Sequence, residues 1–117
     1  MKSDISEMTA ISKKFRDDRD WEKFHSPKDL AMDLSVEAAE VLEHFLWVSK
    51  EEIQMFSKEK KKEVADEISD VMNPLLLLAD TLDIDLLESF KDKMKRNAKK
   101  YPVEKVKGKH AKYNKLV

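Results

Sequence analysis

The sequence predicts an all-α protein, and three observations lead to that fold class. Glycine occurs once (Gly108) and proline three times in 117 residues, while Leu, Glu, Lys, Ala and Met, all good helix formers, dominate. Apolar side chains recur every three or four residues through long stretches, which collects them on one side of a helix. No stretch sustains the period-two alternation between turn residues that marks strands. The length suits a single domain.

A first helix is predicted from about Asp4 to about Phe24, where Ser26-Pro27 breaks it. Pro27 suits the first turn of a second helix, running to about Val48, because its missing N–H would be unpaired there anyway. Ser49-Lys50-Glu51-Glu52 has the capping-box pattern, so a short extra helix begins at Ser49. A third long helix spans about Ser57 to Leu82. A fourth starts at Asp85-Leu86-Leu87-Glu88 by the same capping logic and stops before Pro102. Residues 1–103 are read as the helical body. Residues 104–117 lack an apolar face and are expected to be a basic tail, extended, disordered or lying on a neighbouring subunit.

Composition narrows the chemistry. There is no cysteine, which excludes disulfide scaffolds, zinc–thiolate sites and thiol nucleophiles. One glycine excludes Gly-rich phosphate loops, so any phosphate chemistry must use side chains and metal ions. The net charge of −1 conceals a segregation: residues 1–90 carry −10 and residues 91–117 carry +9. Such an end is either a solvated tail or a surface for a polyanion. The start, Met1-Lys2-Ser3-Asp4-Ile5, has no apolar signal core, and the longest run without a polar residue, Pro74 to Ala79, is far too short for a membrane span. A soluble, cytoplasmic protein without a membrane or stable nucleic-acid partner is expected.

The second and third helices each carry an acidic edge beside an apolar stripe. On the second, Leu30, Leu34, Ala38, Val41, Leu42 and Phe45 form the stripe, and Asp33, Glu37, Glu40, His44 and Trp47 lie next to it. On the third, Glu63, Glu67, Asp70 and Pro74 border Val64, Ile68, Val71, Met72 and Leu75. Glu37/Glu40 and Glu67/Asp70 are thus i, i+3 pairs, each on one face. Pairs of this kind occur on solvated faces and at metal sites alike. If the helices pack antiparallel, four carboxylates converge, and their repulsion calls for a hard cation, Mg²⁺ or Mn²⁺. A di-iron bundle would need a Glu-x-x-His motif on each of two helices, which is absent.

At these residues the chain resembles a known family. Glu37-Ala38-Ala39-Glu40, 26 residues, then Glu67-Ile68-Ser69-Asp70 looks like the ExxE…ExxD pattern of the MazG-like all-α nucleoside triphosphate pyrophosphohydrolases. The segment from Arg16 to Lys28 (RDDRDWEKFHSPK), then Glu43-His44-Phe45-Leu46-Trp47, then Lys93 to Pro102 (KMKRNAKKYP), resembles the single-domain dCTP-pyrophosphatase-like branch. The likeness covers about residues 12–113.

The resemblance implies a four-helix bundle assembled as a dimer of dimers, a homotetramer that hydrolyses (d)NTP to (d)NMP and pyrophosphate with Mg²⁺. It implies metal ligands at Glu37, Glu40, Glu67 and Asp70, which also form the catalytic set. Trp21, His25 and Trp47 match nucleobase-pocket positions. Lys93, Asn97, Lys100 and Tyr101 match the phosphate and sugar side. Taken as ordinary residues, Trp21 also suits core packing, His25 a turn, and the lysines a solvated face. The family usually has a tyrosine one turn after ExxD, where this chain has Pro74. Proline there removes the helical bond to the Asp70 carbonyl and should kink the helix. It also removes a hydroxyl, so lower activity or altered substrate preference is expected. The alternative function is a catalytically weakened helical module that binds nucleotide or regulates a partner.

Overall fold

The computed structural model describes residues 3–110 and 113–115, and the chain forms two compact units, Met1–Ile84 and Asp85–Val117. The first holds α1 (Asp4–Asp18), a 3₁₀ turn (Glu22–Phe24), α2 (Pro27–Glu43), the short α3 (Lys50–Gln54) and α4 (Lys58–Thr81). The second holds α5 (Leu86–Lys100), α6 (Val103–Val106) and a 3₁₀ turn at Tyr113–Lys115. No strand occurs among the described residues, and none of their helices is long and apolar enough to cross a membrane.

Side-chain caps set where the helices begin. Ser3, Ser26, Ser49 and Ser57 each accept a hydrogen bond from the N–H three residues on, at 3.0–3.1 Å. Asp85 does the same for α5 at 3.0 Å. Each bond satisfies an N–H that the helix itself leaves unpaired. At Ser49 the capping box is complete, because Glu52 accepts in return from the Ser49 N–H.

The helix ends fall earlier than the sequence suggests. α1 stops at Asp18, because Asp20 adopts a left-handed conformation (φ 54°), with Trp21 N–H bonding Arg16 C=O and Asp20 N–H bonding Asp17 C=O. Asp83 ends α4 in the same way (φ 53°), with Ile84 N–H on Ala79 C=O and Asp83 N–H on Asp80 C=O. Both are Schellman motifs with aspartate in the place that glycine usually takes. α2 ends at Glu43, not Val48: tight bonds from His44 N–H to Val41 C=O and from Phe45 N–H to Leu42 C=O close its last turn. Residues 104–117 were expected to be extended, disordered or lying on a neighbouring subunit. Part of that stretch is helical: Pro102 C=O accepts from the N–H groups of Lys105 and Val106, which closes α6. Residues 111, 112, 116 and 117 of the tail lie outside the described residues.

α2 and α4 form the main helix pair, and α1 packs on α4. His44 meets Lys60, Glu37 meets Glu67 and Asp70, and Leu30 shares a cavity wall with Leu77. These pairings descend along one helix as they rise along the other, so the two run antiparallel. Among the described residues, the buried apolar ones are Leu30, Leu76, Leu77 and Ala79, joined by the ring of Pro74. α4 continues from Lys58 to Thr81 with Pro74 inside it. The helical wheel places Pro74 on the acidic edge, whereas the structure buries its ring completely, because that turn of α4 faces the core.

Candidate active site

The acidic edges of α2 and α4 meet. Glu37, Glu67 and Asp70 each offer an oxygen within 4.8 Å of the others. At an effective dielectric constant of about 20, two full charges at that distance repel by about 3.5 kcal/mol. Glu37 Oε2 and Glu67 Oε2 are both buried without a hydrogen-bond partner, so no hydrogen bond offsets the charge at either atom. Burial pushes the Glu37 carboxyl up to about 7, aided by a hydrogen bond shared with Glu40 and by the charges of Glu40, Asp33 and Asp70. Hard oxygen donors, two buried atoms without partners and a surplus of negative charge all fit a divalent cation such as Mg²⁺ or Mn²⁺. Three of the four expected ligands therefore share one cluster. Glu40 is half-buried and stands outside it, bonded to Glu37.

A cavity of about 110 Å³ lies one helical turn along from the cluster. Asp33, one turn before Glu37 on α2, and Asn73, the third residue after Asp70 on α4, line its polar side. Phe15, Trp21 and His25 line the other. The Trp21 ring stands edge-on to Phe15 with centroids 5.9 Å apart, and the Arg19 guanidinium covers the Phe15 ring at 3.7 Å. His25 Nδ1 is buried without a hydrogen-bond partner. Arg16, 6% exposed, also reaches the cavity wall; its hydrogen bond with Asp17 holds the guanidinium more firmly protonated than usual. An engineered cavity of about 150 Å³ holds a benzene ring, so this one is on the scale of a single six-membered ring.

The structure thus brings Trp21 and His25 together with the end of the acidic edge. It does not bring Trp47 there. Because α2 ends at Glu43, Trp47 leaves the acidic strip, takes a left-handed backbone (φ 65°) and exposes 97% of its surface. Lys93, Asn97, Lys100 and Tyr101 belong to the second unit. Lys93 is exposed there, Asn97 is half-buried with its amide 3.8 Å from Met94 Sδ, and the Tyr101 N–H caps α5 on Asn97 C=O. Sequence reasoning had Asp33 on the right strip without giving it a role, and it passed over Asn73. The readable signal was register, because each lies one turn from a cluster carboxylate.

Residues 33–116 match the model of the MazG-like family. The chain is 32% identical to dCTP pyrophosphatase 1 of Bos taurus over 96% of its own length and 68% of the relative's. It is 31% identical to dCTP pyrophosphatase 1 of Homo sapiens over 96% of its length and 67% of that relative's. Among solved structures it is similar to a pyrophosphatase from Archaeoglobus fulgidus, with a TM-score of 0.80 and 42% identity, covering 87% of this chain and 95% of that one.

Proposed function

Because the chain belongs to the MazG-like family, in its dCTP-pyrophosphatase-like branch, and is a nucleotide pyrophosphohydrolase, we propose that it cleaves a pyrimidine deoxynucleoside triphosphate, dCTP foremost, to the monophosphate and pyrophosphate with Mg²⁺. One observation carries this reading: three converging carboxylates, two with buried oxygens lacking partners, adjoin an aromatic cavity the size of one ring.

Glu37, Glu67 and Asp70 would hold the cation, with Glu40 steadying Glu37. Such an ion supplies neutralisation of the triphosphate charge and a more acidic water for attack at Pα. The rest falls to the chain's own groups. Trp21 offers a ring face to the base, and Asp33 can accept from the exocyclic amine of cytosine, where thymine and uracil present a repelled carbonyl. Glu40, outside the cluster and bonded to Glu37, can take up the proton lost by the attacking water. Lys93 and Lys100 would meet the departing pyrophosphate, and with Asn97 and Tyr101 they would form the phosphate and sugar side, as the resemblance implies. The enzyme would act as a cytoplasmic dimer of dimers, which gives cover to exposed apolar side chains such as Ile11, Phe24, Leu42 and Ile68. Residues 104–117 would form a tail outside the catalytic body.

A panel of dNTPs and NTPs with Mg²⁺, scored separately for pyrophosphate and orthophosphate, tests the reading. Pyrophosphate release, fastest with dCTP and lost in Asp70→Asn or Glu40→Gln, is the expected result. Orthophosphate alone, or full activity in both variants, would overturn it.

A further inference from the structure

His44 does not touch the three-carboxylate cluster's shared space, yet it links that cluster to the start of α4. Its Nδ1 lies 2.7 Å from Lys60 Nζ, and its Nε2 lies 3.8 Å from Glu67 Oε1. A lysine ammonium carries donors only, so Nδ1 is the acceptor and the ring proton sits on Nε2, facing Glu67. The imidazole is well shielded, with 16% of the side chain exposed. Lys60 is itself held, 3.7 Å from Glu63 and 5.7 Å above the Phe56 ring.

We propose that His44 is a positioning residue for the cation site: Lys60 fixes its tautomer, and its Nε2–H faces Glu67 Oε1, which sets how the Glu67 carboxylate is presented to the cluster. This rests on the cation reading given under Proposed function. The two Glu67 oxygens have different surroundings, since Oε1 faces the imidazole and Oε2 is buried with no partner. At 3.8 Å the contact is longer than a hydrogen bond, so it steers the carboxylate electrostatically and shortens only if Glu67 turns toward the ring. His44 caps the C-terminus of α2, while Lys60 and Glu67 lie two turns apart on α4. The imidazole therefore ties the helix bearing Glu37 to the helix bearing Glu67 and Asp70. Partners of this kind around metal ligands typically change affinity by about 10- to 100-fold when removed.

The test is Mn²⁺ binding by calorimetry without nucleotide, on the full chain. His44→Ala should weaken binding by about 10- to 100-fold. His44→Gln, whose amide places an N–H near the position of Nε2, should recover most of that loss. Lys60→Met should weaken binding less than His44→Ala. In the metal-free protein, ¹⁵N spectra of the imidazole should show the Nε2–H tautomer, and Lys60→Met should lose that preference. Wild-type affinity in His44→Ala, or a His44→Gln variant as weak as the alanine one, overturns the positioning role and leaves the cation reading standing. If the wild type binds no Mn²⁺ and Glu67→Gln changes nothing, the cation reading falls and the positioning role with it.

Discussion

Glu37→Gln should make the cation-free protein more stable at alkaline pH and leave it nearly unchanged in acid. Burial first, then the hydrogen bond and charge of Glu40, raise the Glu37 carboxyl from 4.5 to about 7. A folded-state value above the unfolded one means that folding favours the protonated acid. Its contribution is whole below about 4.5 and is lost as the pH rises through about 7. About 2.5 decades of proton affinity, at about 1.36 kcal/mol each, set that loss at about 3 kcal/mol. Screening by water makes this an upper bound. Glutamine has no charge at any pH and can still donate to Glu40, so it imitates the protonated acid throughout. Urea unfolding in EDTA, at one protein concentration and at about pH 5, 6.5 and 8, measures the difference. The two stabilities should nearly coincide at the lowest pH and diverge by up to about 3 kcal/mol at the highest. Parallel profiles, or a variant less stable than wild type at the highest pH, would show that burial does not raise this carboxyl. On the cation reading proposed above, added Mg²⁺ should stabilise the wild type and leave this variant unchanged, because ligand linkage needs the ligand's site.

Leu77→Ala, at a side chain only 1% exposed between α4 and the cavity, should cost about 2–5 kcal/mol in denaturant unfolding. A loss well under that range would mean the helix pair is looser than described. Asp33→Asn should lower the preference for dCTP over dTTP by about 10- to 100-fold, the worth of about 1–3 kcal/mol of base discrimination. Competition for kcat/KM reads it directly, and an unchanged ratio removes Asp33 from base recognition. Ser49→Ala removes the side-chain half of the α3 capping box, the Oγ that accepts from Glu52 N–H, and should cost about 1 kcal/mol in the same unfolding assay; no change would show that α3 is held without that bond.

Helix starts were legible because their cause is local. Ser26-Pro27, Ser49 with Glu52, and Asp85 with Glu88 announce caps within four residues, and all three form. Helix ends were not legible, because Asp20 and Asp83 stop α1 and α4 where glycine would normally give the sign. An aspartate in a charge-rich sequence is indistinguishable from its solvated neighbours until its backbone is seen. The i, i+3 carboxylate pairs gave the acidic edge, and Glu37, Glu67 and Asp70 offer oxygens within 4.8 Å of one another. Glu40 bonds Glu37 along α2 instead, a contact that i, i+3 spacing allows, whereas His44 bridging Lys60 to Glu67 depends on how two helices are set against each other, which single-helix periodicity does not encode. Trp47 left its strip for a similar reason, since extending the wheel past Glu43 assumed a helix that the chain had already closed.

The two tryptophans therefore differ in their surroundings. Trp47 stands almost wholly in water, while Trp21 lies edge-on to Phe15 and lines the cavity. Their emission separates accordingly: Trp47, 97% exposed, gives the red-shifted, strongly iodide-quenched component, and Trp21, 42% exposed, the less readily quenched one. A ligand entering the cavity alters the second without touching the first. Assembly that covers residues 44–47 alters the first without touching the second. The chain thus carries one built-in optical signal for occupancy and another for association, and the left-handed turn at Trp47 keeps them apart.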